Sequence, residues 1–273
     1  MLKLIGYILY TIRPSACLMV GIIVVTAYRP NWSQWMEAIL LFGCAFLGSA
    51  YCFIVNDIFD RKKDLLNNKL RPIATGKLPL KTAKTTTIII GTGYLICAWS
   101  LNEIVLGLAI FSLSLFSTYS FVNRKYGLLS NLMVAFCASG ALWGVAVLKD
   151  YERSLFILSG ALFFMIVFRE ILLDWLDVEG DKASGKNSIP IQLSTSIVLA
   201  ILGICLLAAS AILLMTLRPS AFGHFDMIII GLITSVWFPF GYLTLKSSRE
   251  RVLFNIRFSH VSFILLVMAI ILR

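Results

Sequence analysis

The feature that most constrains this chain is a succession of apolar runs, each about as long as a bilayer is thick. A spanning helix needs about 20 mostly apolar residues, and such windows recur from end to end of the 273 residues. Apolar residues make up 59% and charged residues only 14%. Soluble domains lie nearer about 25% charged, so the composition excludes them and leaves an all-α, polytopic membrane protein. Hydropathy and turn signals predict about nine spans, at 15–28, 36–55, 83–100, 104–121, 130–147, 154–173, 194–216, 226–245 and 252–272. They read as one bundle and one domain, 1–273. The N-terminal MLKLIGYILYTIRPSA reads as an interfacial lead-in rather than a cleaved leader.

Charge is distributed unevenly between the connections. Counted from a cytoplasmic N-terminus, 17 of the 24 Lys and Arg fall on the cytoplasmic side, against five (Arg29, Lys149, Arg153, Arg218, Arg273) on the other. That bias predicts an N-inside, multi-pass protein of the cell membrane. The net charge of +10 follows from it. No nucleic-acid module is present in the sequence, and no protein partner can be inferred. Six scattered cysteines lack metal-ligand or redox spacing and read as small hydrophobes in packed helices.

Two connections carry the acidic groups. Span two ends in Asn56-Asp57-Ile58-Phe59-Asp60-Arg61-Lys62-Lys63-Asp64, and span six in Asp174-Trp175-Leu176-Asp177-Val178-Glu179-Gly180-Asp181. In both, aspartates stand three and then four residues apart, and the sets (56–64, 174–181) are offset by 117 residues. On a helix that spacing presents three carboxylates on one face. The repetition suggests a weak internal duplication, with acidic faces across a shared cavity. Carboxylates at a membrane boundary need a partner, and two aspartate trios would repel unless cations lay between them. Hard oxygen ligands suit Mg²⁺, which completes its shell with water and phosphate oxygens. Arg61, Lys62, Lys63, Arg71, Lys77, Lys182 and Lys186 are the nearby cations suited to the outer phosphate oxygens. The inferred ligand is a Mg²⁺-held diphosphate, its tail directed into the bundle and the mouth cytoplasmic.

These residues resemble the UbiA superfamily of intramembrane prenyltransferases. The N-x-x-x-D-x-x-x-D pattern falls on Asn56, Asp60 and Asp64, and is followed by Arg71-Pro72 and Gly76. D-x-x-x-D falls on Asp177 and Asp181, followed by GKNSIP with Ser188 in the usual Thr position. IRPSACLMVGIIV and YSFVNRKYGLLSNLMVA are similar to the family's first span and its span four to five region. The resemblance implies Mg²⁺-dependent transfer of a prenyl group from a prenyl diphosphate donor to a lipophilic, membrane-associated acceptor, with release of diphosphate. By motif position it implies Asn56, Asp60, Asp64, Asp177 and Asp181 as metal ligands, with Asp57 and Asp174 as adjacent support. Asp60, Asp64, Asp177 and Asp181 are the catalytic set. Arg71, Lys186 and either Lys125 or Arg124 would contact the diphosphate. Tyr51, Phe53, Tyr119, Phe121, Phe164 and Phe168 could face the cationic intermediate, though helix-face aromatics are more often packing.

Arg169-Glu170 through Asp181 resembles the branch of digeranylgeranylglyceryl phosphate synthases, with homogentisate prenyltransferases nearby. Leu173 stands where that branch often has Lys, and Ala16 where it often has Asn. The lost cation and lost amide weaken the expectation of a prenylglycerol phosphate acceptor and favour a less polar one, such as an aromatic quinone precursor. An acceptor-free terpene cyclase is an alternative, and a cation transporter a more distant one.

Overall fold

A computed structural model describes residues 2–67 and 69–216, with twelve α-helices among them. These are α1 Leu2–Ile12, α2 Pro14–Tyr28, α3 Trp35–Phe59, α4 Arg61–Leu66, α5 Leu80–Leu101, α6 Glu103–Lys125, α7 Gly127–Ser139, α8 Ala141–Leu148, α9 Arg153–Leu176, α10 Val178–Ser184, α11 Ile189–Gln192 and α12 Thr195–Thr216. Helices occupy seven of the predicted span positions. Four segments are long and apolar enough to cross a membrane (32–59, 127–148, 153–176 and 195–212), and the bent pair α1–α2 makes a fifth. α5 is diluted by Lys81, Lys84 and four threonines in its first two turns. The predicted spans at 226–245 and 252–272 lie outside the described residues.

Residues 2–12, the N-terminal lead-in, form a helix that meets α2 at 49°. The bend is at Arg13, in the left-handed region (φ 53°) immediately before Pro14. Proline disfavours a right-handed helical residue before it and is at home in a first helical turn. Holding a non-glycine residue there costs on the order of 1–3 kcal/mol, so the surroundings must enforce it.

Packing follows the small residues. α3 lies between α2 and α5, while α9 lies between α7 and α12. Ala50, Ala98, Ala135, Ala146 and Ala161 are fully buried, the composition expected where helices approach closely without a hydrophobic driving force from lipid. The larger core surrounds α9, with Leu158, Ile171 and Leu172 meeting Leu142, Val145, Val198 and Leu202. A second core joins α1, α2 and α3 through Ile12, Cys17, Ala50, Ile54 and Ile58. The six cysteines are free. The first half of the chain (α1–α6) meets the second (α7–α12) at several places, among them the packing of the short helices α4 and α10, and both acidic motifs converge there.

Candidate active site

Each acidic motif straddles a helix break rather than lining one helix face. α3 stops at Phe59 and α4 restarts at Arg61, with Asp60 at φ −82°, ψ 2°. α9 stops at Leu176 and α10 restarts at Val178, with Asp177 at φ −103°, ψ 8°. The break therefore falls on the middle aspartate of both sets. The backbone repeats as well: Asp64 and Asp181 carbonyls accept from the amides of Lys69 (2.7 Å) and Lys186 (2.9 Å). Those two lysines keep the 117-residue offset of the aspartates. Gly180 lets α10 approach α4 closely, because a Cβ there would lie 2.0 Å from Asn67 Oδ1.

Cations are interleaved with the carboxylates. Asp57, at the buried end of α3, pairs with Arg13 Nη2 at 2.8 Å and with Arg71, whose Nη1 also lies 3.3 Å from Asp64 Oδ2. Asp174 accepts from Asn131 Nδ2 (2.9 Å) and Lys186 Nζ (2.6 Å). Asp177 accepts from Lys69 Nζ at 2.6 Å. Lys63 Nζ sits 3.5 Å from Asp177 Oδ2 and 2.7 Å from Asp181 Oδ1, and Lys186 Nζ is 3.6 Å from Asp181 Oδ2. Among the described residues no three Asp, Glu, His or Cys side chains are gathered closely enough to hold a metal ion. Asn56 and Asp60 are half-buried beside this network.

Of the expected cations, Lys63, Arg71 and Lys186 are brought into the site. Lys62, Lys77 and Lys182 are exposed, and Arg61 donates to the Ile58 carbonyl. The side chains of Arg124, Lys125 and Phe121 lie outside the described ones. Arg13, Lys69 and Asn131 were not anticipated. Arg13 carried a signal, since an arginine entering an apolar span implies a buried partner. The aromatics are mostly packing: Phe168 is in the core around α9, and Phe164 stacks edge-on against Phe163. Phe53 instead lies under the Arg13 guanidinium, 4.6 Å from ring centroid to Cζ.

The electrostatics follow from burial in this mixed array. Asp64 is pushed up to about 6 by burial, reinforced by Asp60 and Asp57 and opposed by Arg71 and Lys69. For Lys63, burial alone would lower the ammonium, yet Asp60, Asp181 and Asp177 outweigh it and raise the group. Burial would raise Asp177, but Lys63 and Lys69 hold it below the ordinary range. Asp64 gives a measurable consequence. Its folded carboxyl keeps a proton up to about pH 6, whereas an unfolded Asp loses it near about 3.9. This contribution to stability is therefore fully present below about pH 4 and is lost as pH rises through 6. Thermal denaturation with EDTA should show wild type gaining stability from pH 7 towards 4.5 relative to Asp64→Asn; parallel profiles for the two proteins would refute the assignment.

Five buried side-chain atoms among the described residues lack a hydrogen-bond partner, and all belong to this site: Asp64 Oδ2, both Asp181 carboxylate oxygens, Asn67 Nδ2 and Ser188 Oγ. Arg71 lies 3.3 Å from Asp64 Oδ2, and Lys63 and Lys186 lie 2.7 and 3.6 Å from the Asp181 oxygens, so charge compensates these three carboxylate atoms in part. Three unsatisfied hard oxygens together with an amide and a hydroxyl donor fit a divalent cation and an anion bound side by side.

Residues 16–264 match the model of the UbiA prenyltransferase family. A digeranylgeranylglyceryl phosphate synthase of Sulfolobus acidocaldarius is 28% identical over 142 residues, 52% of each chain. The match thus spans about half the length of that relative. A solved structure described as informing on digeranylgeranylglyceryl phosphate synthase in membranes superposes with a TM-score of 0.77 at 24% identity, covering 100% of this chain and 99% of the other. A UbiA homologue from Archaeoglobus fulgidus, bound to GPP and Mg²⁺, gives a TM-score of 0.69 at 19% identity, covering 97% and 99%.

Proposed function

The chain belongs to the UbiA prenyltransferase family, and on that premise we propose that it transfers a prenyl group from an allylic prenyl diphosphate to a prenylglycerol phosphate, with Mg²⁺ and release of diphosphate. The observation carrying this reading is the cluster of unsatisfied oxygens and donors around Asp64, Asp181, Asn67 and Ser188. It is the arrangement that a metal-bound diphosphate would complete. The A. fulgidus homologue, bound to GPP and Mg²⁺, supports the same pairing of ligands.

Asp64 and Asp181, with Asp60, Asp177 and Asn56, would hold Mg²⁺. Bound there, the metal neutralises charge that develops on the leaving diphosphate. Asp57 and Asp174 are already committed, the first to Arg13 and Arg71 and the second to Lys186 and Asn131. They orient cations rather than ligate metal. Arg71 and Lys186, with Lys125 or Arg124, meet the phosphate oxygens as the carbon–oxygen bond breaks. The apolar walls keep water from a carbocation that it would otherwise trap. The cationic side bias supports a mouth on the cytoplasmic face.

The acceptor assignment rests on Arg13 and Arg169. Arg169 is close enough to act electrostatically on Arg13, and only Asp57 and Glu170 among the described carboxylates pair with them directly. Two half-buried guanidinium groups suit an anionic head group, which offsets the absence of Lys at 173 and of Asn at 16. Clusters at helix ends interleaved with cations do not suit ion transport, for which acidic groups belong near mid-membrane.

Purified chain in lipid nanodiscs, given geranyl or geranylgeranyl diphosphate, tests the reading. With geranylgeranylglyceryl phosphate and Mg²⁺, the labelled prenyl group should enter the phosphate lipid, and EDTA should reduce transfer to background. Transfer only to homogentisate, or a terpene formed without acceptor, replaces the acceptor assignment. Absence of diphosphate release with every pairing ends the proposal.

A further inference from the structure

Lys63 is the cation of the site that reaches both Asp177 and Asp181. It rises from α4 in the first half, yet its ammonium lies against carboxylates of the second: Asp181 Oδ1 at 2.7 Å and Asp177 Oδ2 at 3.5 Å. Its side chain is 11% exposed, although Lys62 beside it faces solvent. The residues around it are separately provided for. Lys69 holds Asp177 at 2.6 Å, and Lys186 stands 3.6 Å from Asp181 on the opposite side. Lys63 Nζ and Asp181 Oδ1, 2.7 Å apart, form a close ion pair across α4 and α10. Lysine carries that charge on a flexible four-carbon stem, unlike the fixed fork of Arg71.

We infer that Lys63 is a displaceable counter-cation: its ammonium occupies the place between Asp177 and Asp181 that a divalent ion takes, and metal binding drives it out. The inference rests on the Mg²⁺ site proposed above. With Arg71, Lys69 and Lys186, the Lys63 ammonium keeps the aspartates of the two motifs from repelling while no metal is held. A dication with oxygen coordination outcompetes it at Asp181, and Lys69 keeps Asp177 compensated after it leaves. The same contact ties the halves together when the site is empty of metal, so it lowers apparent metal affinity by the fraction of time the lysine occupies the place.

The test uses the full chain in nanodiscs. Amine acylation read by peptide mass spectrometry should show Lys63 becoming several-fold more reactive on addition of Mg²⁺ alone, with Lys62 unchanged. Mn²⁺ binding followed by electron paramagnetic resonance should tighten about tenfold in Lys63→Met, while Lys62→Met stays within about twofold of wild type. Wild type that binds Mn²⁺ without any rise in Lys63 reactivity overturns the displacement but leaves the metal site standing. Wild type that binds no Mn²⁺ overturns both. The labelling experiment needs no variant, so a Lys63→Met protein that fails to fold does not remove the test.

Discussion

Asp181→Asn should lower diphosphate release by about three orders of magnitude, the scale of losing a group that holds charge-neutralising machinery in a transition state. Asp181 is wholly buried, and it lies between Lys63 and Lys186 with neither oxygen hydrogen-bonded. Asparagine keeps the shape but removes the charge and one oxygen. It leaves two buried ammonium groups with less compensation, a change that weakens the native state as well as the site. Single-turnover release of labelled diphosphate, measured across a Mg²⁺ titration, separates these effects. The loss should persist at saturating Mg²⁺ in protein shown to be folded. Asp174→Asn should cost far less, since Asp174 positions Lys186 and Asn131 instead of facing the metal. Asp181→Asn within tenfold of wild type would remove this residue from the metal site.

The paired spacing of the aspartates was the most legible feature of the sequence, and it brought both motifs to one region. What it could not show was the conformation between them. Separations of three and four residues suit a continuous helix, and Arg61-Lys62-Lys63-Asp64-Leu65-Leu66 has good helix formers throughout. The breaks at Asp60 and Asp177 arise because α4 and α10 turn aside to pack on each other, which is a tertiary effect. Choosing among seven cations was equally out of reach. Lys62 and Lys63 are neighbours in sequence, but on a helix they point about 100° apart, so the rotation of α4 decides which one is buried. Lys69 meets Asp177 across 108 positions, and Asn131 meets Asp174 across 43. Local pattern carries no trace of either contact. Apolar runs did indicate the helices, except at the N-terminus. Arg13-Pro14 marked a break there correctly and concealed a helix before it.

The cations of the site also tie the two halves together. Lys63 and Lys69 both start in the first half and end on carboxylates of the second, whereas Lys186 and Asn131 serve Asp174 from within the second. A change that separates α4 from α10 therefore disturbs both motifs at once. The converse also holds: geometry at the 186–189 turn controls how Lys186 addresses Asp174 and Asp181.

Gly127→Ala should accordingly be the most damaging single methyl group that can be added to the described glycines near the site. A Cβ at 127 would lie 2.5 Å from the Asn187 carbonyl oxygen and 2.7 Å from Ser188 Cα. Both are backbone atoms, which cannot rotate away as the Asn67 side chain can at Gly180. The start of α7 would have to part from the 187–189 turn, and the Gly127 amide would lose its bond to the Asn187 carbonyl, now 3.2 Å long. Lys186, one residue away, would move with that turn, and Asn131 would move with α7. Overpacking of this kind costs typically about 1–3 kcal/mol, and a lost buried hydrogen bond adds about 1 kcal/mol. Gly107→Ala is the matched control, because nothing lies within 4 Å of a Cβ there and removing a mid-helix glycine should stabilise by roughly 0.5–1 kcal/mol. Thermal denaturation in one detergent should thus shift in opposite directions for the two variants, with diphosphate release lost in Gly127→Ala and retained in Gly107→Ala. Equal behaviour of the pair would mean that the contact between α7 and the 187–189 turn does not hold the site together.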